Sequence, residues 1–279
     1  MKNTNCWILS ERTRMSSARS KARILAITSG KGGVGKTFVA ANLAAALTKR
    51  GRRVLVLDAD LGLANLDVIL NLYPKATLHD AMSGKCSIEE IVLAAPGGFW
   101  ILPAASGLVE YSRLTGDVQD NLRQIIDALS RQYDYLLLDT GAGISDLVLY
   151  TASLAQEVLV VATPEPASIA DAYATIKVLA TMQQRTSINL VFNQARDAAE
   201  ARKLAQQLQQ VVDRFVNAQL AIALKLEHLG YIPSDPAVRA AARKRRLLFV
   251  DTPEAPASKA VAALAQALDL PVKERAAHA

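Results

Sequence analysis

Apolar runs and helical patterns alternate along the chain. The continuous apolar runs at 23–29 and 54–60 predict buried strands, because a strand covered on both faces does not alternate polar and apolar residues. Shorter apolar runs predict further strands at 99–102, 135–139, 158–162, 188–193 and near 229–233. Helical patterns lie between most of these strands, at 36–49, 118–131, 168–183, 196–217 and 258–270. This alternation predicts an α/β fold with a doubly wound, mostly parallel sheet and helices on both faces.

Length and composition favour one domain around a large core. The chain has 279 residues, of which 51% are hydrophobic. We predict a basic, disordered tail over 1–22, a single domain over 23–270 and a flexible C-terminus over 271–279. No apolar run approaches the about 20 residues that a membrane-spanning helix needs, and the apolar stretch at 6–9 is too short for a secretion signal. We therefore expect a cytoplasmic protein.

The net charge of +6 is concentrated in two segments. Residues 1–22 carry five basic side chains against one acidic, a balance of +4, and a second basic run spans 239–246. The rest of the chain is near neutral, which makes nucleic acid an improbable partner. Whether the run 239–246 contacts lipid or nucleic acid stays open at this point. Cys6 and Cys86 form no C-x-x-C motif, so we expect free thiols in a reducing compartment.

Residues 29–37 read SGKGGVGKT and fit the phosphate-loop pattern G-x-x-x-x-G-K-[ST]. The loop lies between a predicted strand and a predicted helix, so its backbone N–H groups and the helix N-terminus face the bound anion. Lys36 is expected at the β- and γ-phosphates and the Thr37 hydroxyl on Mg²⁺. The predicted nucleotide-binding residues of this loop are Gly30, Gly32, Gly33, Val34, Gly35, Lys36 and Thr37. Lys31 is one lysine more than such a loop requires.

Three carboxylates follow the predicted strands. Asp58 and Asp60 are two residues apart, which places both side chains on one face of a strand, at the carboxyl end where ligands of parallel sheets bind. One of them suits a water-mediated contact to Mg²⁺ and the other suits positioning of an attacking water. Asp139 ends the apolar run YDYLLLD, the form of a Walker B segment that helps to hold Mg²⁺. The following TGAGIS places Gly141 and Gly143 in a loop that can bring an N–H group to the γ-phosphate.

The segments GKGGVGKT, DADLGLANLD and DTGAGIS together resemble the deviant Walker A ATPases of the MinD/ParA group, a class of P-loop NTPases, over about residues 23–268. The resemblance implies hydrolysis of ATP with Mg²⁺ and an ATP-dependent homodimer in which the signature lysine, here Lys31, crosses to the partner subunit's phosphates. It implies catalytic roles for Lys31, Lys36 and Asp60, and a metal site of Thr37, Asp60 and Asp139. It further places Asp58, Asn65, Gly143, Asn193, Arg196 and Pro233 at the nucleotide, with Asn193 reading adenine and the last two bordering the base.

Two segments indicate a branch of this group. TPEPASIADAYATIK at 163–177 and PGGFWILPAASG at 96–107 are similar to flagellar-number regulators of the FleN/FlhG type. That resemblance implies control of flagellar number or placement through partner proteins: a signal-recognition-particle-like GTPase, a transcriptional activator or a switch component. Residues 1–22 lack the Asp-Gln-Ala-x-x-Leu-Arg motif that such regulators often carry.

Other functions remain open alongside this reading. A ParA-type chromosome or plasmid partition ATPase needs a basic DNA-binding surface, for which 239–246 is the candidate. A MinD-type division-site regulator ends in an amphipathic membrane helix, whereas 258–270 has Val261, Leu264 and Leu268 on one side and predicts an ordinary packed helix. We therefore expect only a weak contact with a membrane surface, transient and at the inner face of the plasma membrane. Iron–sulfur reductases and carriers need bridging cysteines, which Cys6 and Cys86 do not provide.

Overall fold

The computed structural model of the protein describes residues 21–61, 64–104 and 114–270. The predicted basic tail falls almost wholly outside these ranges, as does the predicted flexible C-terminus. The domain boundaries at 23 and 270 stay predictions.

Strands of the described part form one eight-stranded sheet in the order β3-β4-β2-β5-β1-β6-β7-β8. The strands are β1 (Arg23–Ser29), β2 (Val54–Ala59), β3 (Leu93–Ala94), β4 (Trp100–Leu102), β5 (Tyr135–Ala142), β6 (Glu157–Ala162), β7 (Ser187–Ala195) and β8 (Lys225–Pro233). All neighbours pair in parallel except β3 and β4, which are antiparallel. The mostly parallel sheet is therefore confirmed.

Helices cover both faces of this sheet. They are α1 (Lys36–Lys49), α2 (Leu66–Ile69), α3 (Leu78–Met82), α4 (Ile88–Ile91), α5 (Gly116–Leu129), α6 (Asp146–Ser153), α7 (Pro166–Gln183), α8 (Ala198–Phe215), α9 (Pro236–Arg243), α10 (Leu248–Asp251) and α11 (Pro256–Asp269). Two hydrophobic clusters separate accordingly: α5, α6, α7 and α8 pack on one face, and α1, α10 and α11 on the other. The doubly wound architecture is confirmed.

The C-terminal helix α11 is part of the core. Its face of Val261, Leu264 and Leu268 is buried, and the helix packs on α1 and β8. At its end, the Asp269 carboxylate accepts hydrogen bonds from Arg50 and Arg52. The predicted packed helix is confirmed. Among the helices of the described ranges, none is long and apolar enough to span a membrane.

Parallel pairing brings the carboxyl ends of β1, β2 and β5 to one edge of the sheet. The segments that carry the predicted chemistry leave from these ends: the glycine loop after β1, residues 60–66 after β2 and residues 143–145 after β5. The ends of β7 and β8 reach the same edge. The fold therefore collects motifs from distant parts of the sequence at the place where ligands of open α/β sheets bind.

Candidate nucleotide-binding site

The glycine loop leaves the N-terminus of α1 open to an anion. Gly35 is the N-cap of this helix, with a φ of 94° that favours glycine. No side chain of the described residues caps the helix, and its first turn has no acidic residue. The first N–H groups of a helix have no intrahelical partner and carry partial positive charge, so this end attracts phosphate.

Close packing explains two of the glycines. A Cβ atom at Gly30 would collide with the carbonyl oxygen of Asp171 on α7, and one at Gly35 would collide with the Asn193 side-chain nitrogen. The loop is thus held against α7 on one side and the end of β7 on the other. Any larger residue at either position displaces the loop from the phosphate position.

A cavity of about 780 Å³ lies in front of this loop. It brings together the predicted residues Gly32, Gly33, Gly35, Lys36, Thr37, Asp60 and Asn65. It also contains Gly141 of the predicted segment TGAGIS, and residues that the sequence analysis did not predict: Phe38, Ile69, Ala142, Ser145, Leu147 and Val148. Ala142 and Ser145 lie inside the motif DTGAGIS, and the other four lie within three residues of a motif, so proximity in sequence was the available signal.

Asp139 fits the binding of Mg²⁺. It is buried within β5, Thr37 lies beside its carboxylate, and its Oδ1 has no hydrogen-bond partner among the described residues. Burial raises the pKa of Asp139 to about 6, while Thr37 and the charge of Lys36 act in the opposite direction. The described residues hold no group of three or more His, Cys, Asp or Glu that could bind a metal. Mg²⁺ does not require such a group of side chains, since one or two carboxylates and the substrate phosphates commonly hold it.

The two aspartates after β2 occupy different environments. Asp60 lies just beyond the strand and lines the cavity, where its carboxylate approaches Gly141. Asp58 is 2% exposed and is not among the described residues that line the cavity. Burial, and next the charge of Asp139, raise the pKa of Asp58 to about 7. Strand alternation predicted one common face, but β2 ends at Ala59, so Asp60 follows the loop instead.

Lys31 has a partner within its own chain. Its Nζ lies 2.9 Å from Oε2 of Glu165, the N-cap residue of α7. This hydrogen bond and the charge of Glu165 raise the pKa of Lys31. The side chains are 40% and 66% exposed, so the ion pair faces solvent. The contact of Lys31 with a partner subunit stays a prediction.

Gly143 and Asn193, two further predicted residues, are not among the described residues that line the cavity. The N–H group of Gly143 donates to the Ser29 carbonyl at 2.8 Å, so its predicted contact to a γ-phosphate requires that bond to open. Asn193 donates to the Val34 carbonyl at 2.8 Å and accepts from the Gln194 N–H group.

Arg196 lies in a second cavity, of about 500 Å³, formed with the residues Thr163, Pro164, Glu165, Gln194, Ala195, Glu200 and Ser234. Pro233 is the neighbour of Ser234 at the end of β8. The base contacts of Asn193, Arg196 and Pro233 stay predictions.

Comparison with known families identifies the family of this chain. The family model described as "ParA: NUBPL iron-transfer P-loop NTPase" matches residues 20–269. The chain belongs to this family. The predicted resemblance to the MinD/ParA group is thereby confirmed, and the nucleotide cleft described above is the P-loop site of a ParA-family NTPase.

Two proteins and one solved structure illustrate which members of the ParA family this chain is similar to. The chain is 44% identical to the antiactivator FleN of Pseudomonas aeruginosa, over 88% of this chain and 86% of that protein. It is 33% identical to the flagellum site-determining protein YlxH of Helicobacter pylori, over 82% of this chain and 76% of that protein. The septum site-determining protein MinD of Pyrococcus horikoshii, solved in complex with Mg-ADP, superimposes with a TM-score of 0.70 at 28% identity, covering 89% of this chain and 96% of that one.

Proposed function

We propose that this protein is an ATP-driven dimerisation switch that hydrolyses ATP to ADP and phosphate with Mg²⁺ and thereby regulates the number or placement of flagella. The flagellar role is supported by the similarity to FleN and YlxH over more than four-fifths of the chain. A dimerisation switch accords with the lysine-rich loop and with the family. The proposal names ATP and Mg²⁺ as cofactors.

One arrangement of groups in the cavity is the main support for the proposed ATPase activity. The uncapped N-terminus of α1 stands beside Lys36, and the Thr37 hydroxyl faces a buried carboxylate with an unpartnered oxygen. A buried carboxylate without a partner is costly, and a cation bound there offsets that cost. Phosphate would satisfy the N–H groups of the helix N-terminus, and Asp139 and Thr37 would hold Mg²⁺, which would supply positive charge beside the buried carboxylate.

Hydrolysis in this site is a direct displacement at phosphorus. A water attacks the γ-phosphorus, the bond to the oxygen bridging the β- and γ-phosphates breaks, and the products are ADP and inorganic phosphate. Asp60, at the cavity wall, orients the water, and Lys36 stabilises negative charge on the transferred group. Bound Mg²⁺ supplies further neutralisation of the phosphates.

Lys31 couples nucleotide to dimerisation in this proposal. In the single chain Lys31 pairs with Glu165 in solvent, where an ion pair contributes little. Two ATP molecules at a subunit interface offer far more negative charge, and less water, to a second lysine. Lys31 therefore leaves Glu165 and contacts the phosphates of the partner subunit when both subunits hold ATP.

The proposed dimer is also the form of the protein that we expect to bind partner proteins. We propose that the ATP-bound dimer binds flagellar regulatory proteins, namely a signal-recognition-particle-like GTPase, a transcriptional activator or a switch component. The test is made in the source organism with the chromosomal gene carrying Lys36→Ala, and with Lys177→Ala, an exposed lysine of α7, as control. Electron microscopy is expected to show an altered number or position of flagella with Lys36→Ala alone. Unchanged flagella with Lys36→Ala would contradict the flagellar role.

A second candidate contact is supported by the basic run at the end of α9. Arg239, Arg243, Lys244 and Arg245 are exposed, and none of them forms an ion pair with another described residue. We propose that this run gives the protein a weak, transient attraction to the anionic inner face of the plasma membrane, with the protein otherwise cytoplasmic.

A further inference from the structure

Asp58 belongs to the same short motif as Asp60, yet it lies behind the nucleotide cavity. It is buried in β2, directly opposite Asp139 in the register of β2 and β5. The role of the Asp58 carboxylate is therefore not direct contact with nucleotide. Its hydrogen bonds indicate a different role.

Three backbone N–H groups of the described residues donate to this carboxylate. The Asp60 N–H donates to Oδ1 at 3.3 Å, and the N–H groups of Asn65 and Leu66 both donate to Oδ2 at 3.1 Å. The first contact lies at the start of the loop after β2, and the other two lie at its end. Asp58 thus connects Asp60, the residue that follows β2, to Asn65 and Leu66 at the start of α2.

The chemistry of these contacts requires a carboxylate. Both oxygens of an ionised aspartate accept, whereas asparagine would turn an NH₂ group towards at least one N–H donor. Leu66 opens α2, whose N-cap Asn65 makes no side-chain cap with a described residue. The first N–H groups of a helix lack intrahelical acceptors, so Asp58 serves as a remote cap for α2.

The loop held in this way carries functional groups. Asp60 and Asn65 both line the nucleotide cavity, and the Asp60 carboxylate also approaches Gly141 near the end of β5. We propose that Asp58 is a positioning residue whose carboxylate fixes Asp60 relative to the start of α2 and so holds Asp60 towards the water that attacks ATP. This inference rests on the role in hydrolysis proposed for Asp60.

Hydrogen exchange on the nucleotide-free protein tests the contact itself. Because Leu66 has no helical acceptor for its N–H group, slow exchange at Leu66 in the unmodified protein is expected only if Asp58 binds it. Asp58→Asn should accelerate exchange at Asn65 and Leu66 by about tenfold or more. Asp134→Asn is the matched control, since Asp134 also accepts a backbone N–H group, that of Arg53, but at the opposite edge of the sheet. Rapid exchange at Leu66 in the unmodified protein would overturn the proposal, even if Asp58→Asn fails to fold.

Steady-state kinetics test the consequence. A loop displaced by about 1 Å costs roughly 100-fold in rate, so Asp58→Asn is expected to lower kcat by about 10- to 100-fold and to leave KM for ATP within about threefold. Asp134→Asn should change neither. Faster exchange in Asp58→Asn with an unchanged kcat would show a purely structural role and would overturn the proposal. An unmodified protein without ATPase activity would instead contradict the proposed function, while the exchange result would still decide whether Asp58 holds the loop.

Discussion

Two buried carboxylates face each other across β2 and β5. Burial and the charge of Asp139 raise the pKa of Asp58 to about 7, and burial raises that of Asp139 to about 6, from an ordinary value of 3.8. Between about pH 4 and 7 these two carboxyls hold protons in the folded protein that they have released in the unfolded chain, so their contribution to the free energy of unfolding falls as the pH rises through this range. The site keeps these charges at the expense of stability, as expected where they serve a bound cation.

Asp139→Asn should therefore stabilise the nucleotide-free protein. We expect its free energy of unfolding at about pH 8 to rise by about 1–3 kcal/mol, because a buried, partly unpartnered charge is removed. Urea denaturation at several pH values measures the free energy of unfolding. Its decrease from about pH 4 to pH 7 should be smaller in Asp139→Asn than in the unmodified protein.

In the control variant, Asp134→Asn, the free energy of unfolding is expected to change in the opposite direction. Although burial raises the pKa of Asp134, hydrogen bonds from Arg53 lower it overall, so Asp134→Asn should destabilise the protein at the same pH. A loss of stability in Asp139→Asn comparable to that in Asp134→Asn would contradict our view of the buried pair.

The base preference is a second prediction at the scale of single residues. Asn193 Oδ1 accepts from the Gln194 N–H group and retains a second lone pair, which suits the N6 donor of adenine but not the O6 acceptor of guanine. We expect ATP to bind more tightly than GTP, and Asn193→Ala to reduce that ratio by about tenfold. Titration calorimetry with both nucleotides gives the ratio. An equal loss of affinity for ATP and GTP would limit Asn193 to holding the loop through Val34.

Residue types with fixed spacing could be assigned from the sequence because local chemistry determines them. The glycine loop, Lys36, Thr37 and Asp60 lie together in the cavity as expected. The partner of Lys31 could not be assigned, because it depends on a tertiary contact. Glu165, which pairs with Lys31, is 134 residues away in the sequence.

At the scale of elements, length decided what the sequence could predict. The ranges of β1 and α1 match the structure, since continuous burial or a full helical period extends over many residues. The four-residue helices α2, α4 and α10 and the two-residue β3 are too short to show any period. They form because neighbouring segments supply their partners, as the Asp58 carboxylate does for α2.

The packed state of α11 yields a prediction for that element. Leu264 is buried against α1 and β8, so Leu264→Ala should lower the free energy of unfolding by about 2–5 kcal/mol. Ala262→Ser, at an exposed position of the same helix, should change it by less than about 0.5 kcal/mol. Thermal and urea denaturation compare the two variants. An unchanged stability in Leu264→Ala would mean that α11 contributes little to the core and is free to bind elsewhere.

At the scale of the whole molecule, surface charge determines the expected membrane contact. The basic run at 239–246 contributes about 1 kcal/mol per basic residue near an anionic surface, and a dimer presents two such runs. We expect weak co-sedimentation with anionic liposomes, which increases with ATP and disappears in about 0.5 M salt. Arg239→Glu with Arg243→Glu should abolish it.

The charge-matched control for the liposome experiment is Arg202→Glu with Lys203→Glu on α8, where both residues are exposed. This pair of substitutions should retain binding. Equal loss in both double variants would show that net charge alone matters, and tight binding to neutral liposomes would contradict the surface-charge account.

The dimerisation switch is the central claim, and light scattering coupled to size-exclusion chromatography tests it most directly. We expect the unmodified protein to elute as a monomer with ADP and as a dimer with ATP and Mg²⁺. Lys36→Ala should lose ATP binding and stay monomeric, whereas Asp60→Ala should bind ATP and remain a dimer because hydrolysis is slow. Lys31→Ala is decisive, since it should still bind ATP yet stay monomeric. A Lys31→Ala protein that forms the dimer with ATP as readily as the unmodified protein would contradict the account.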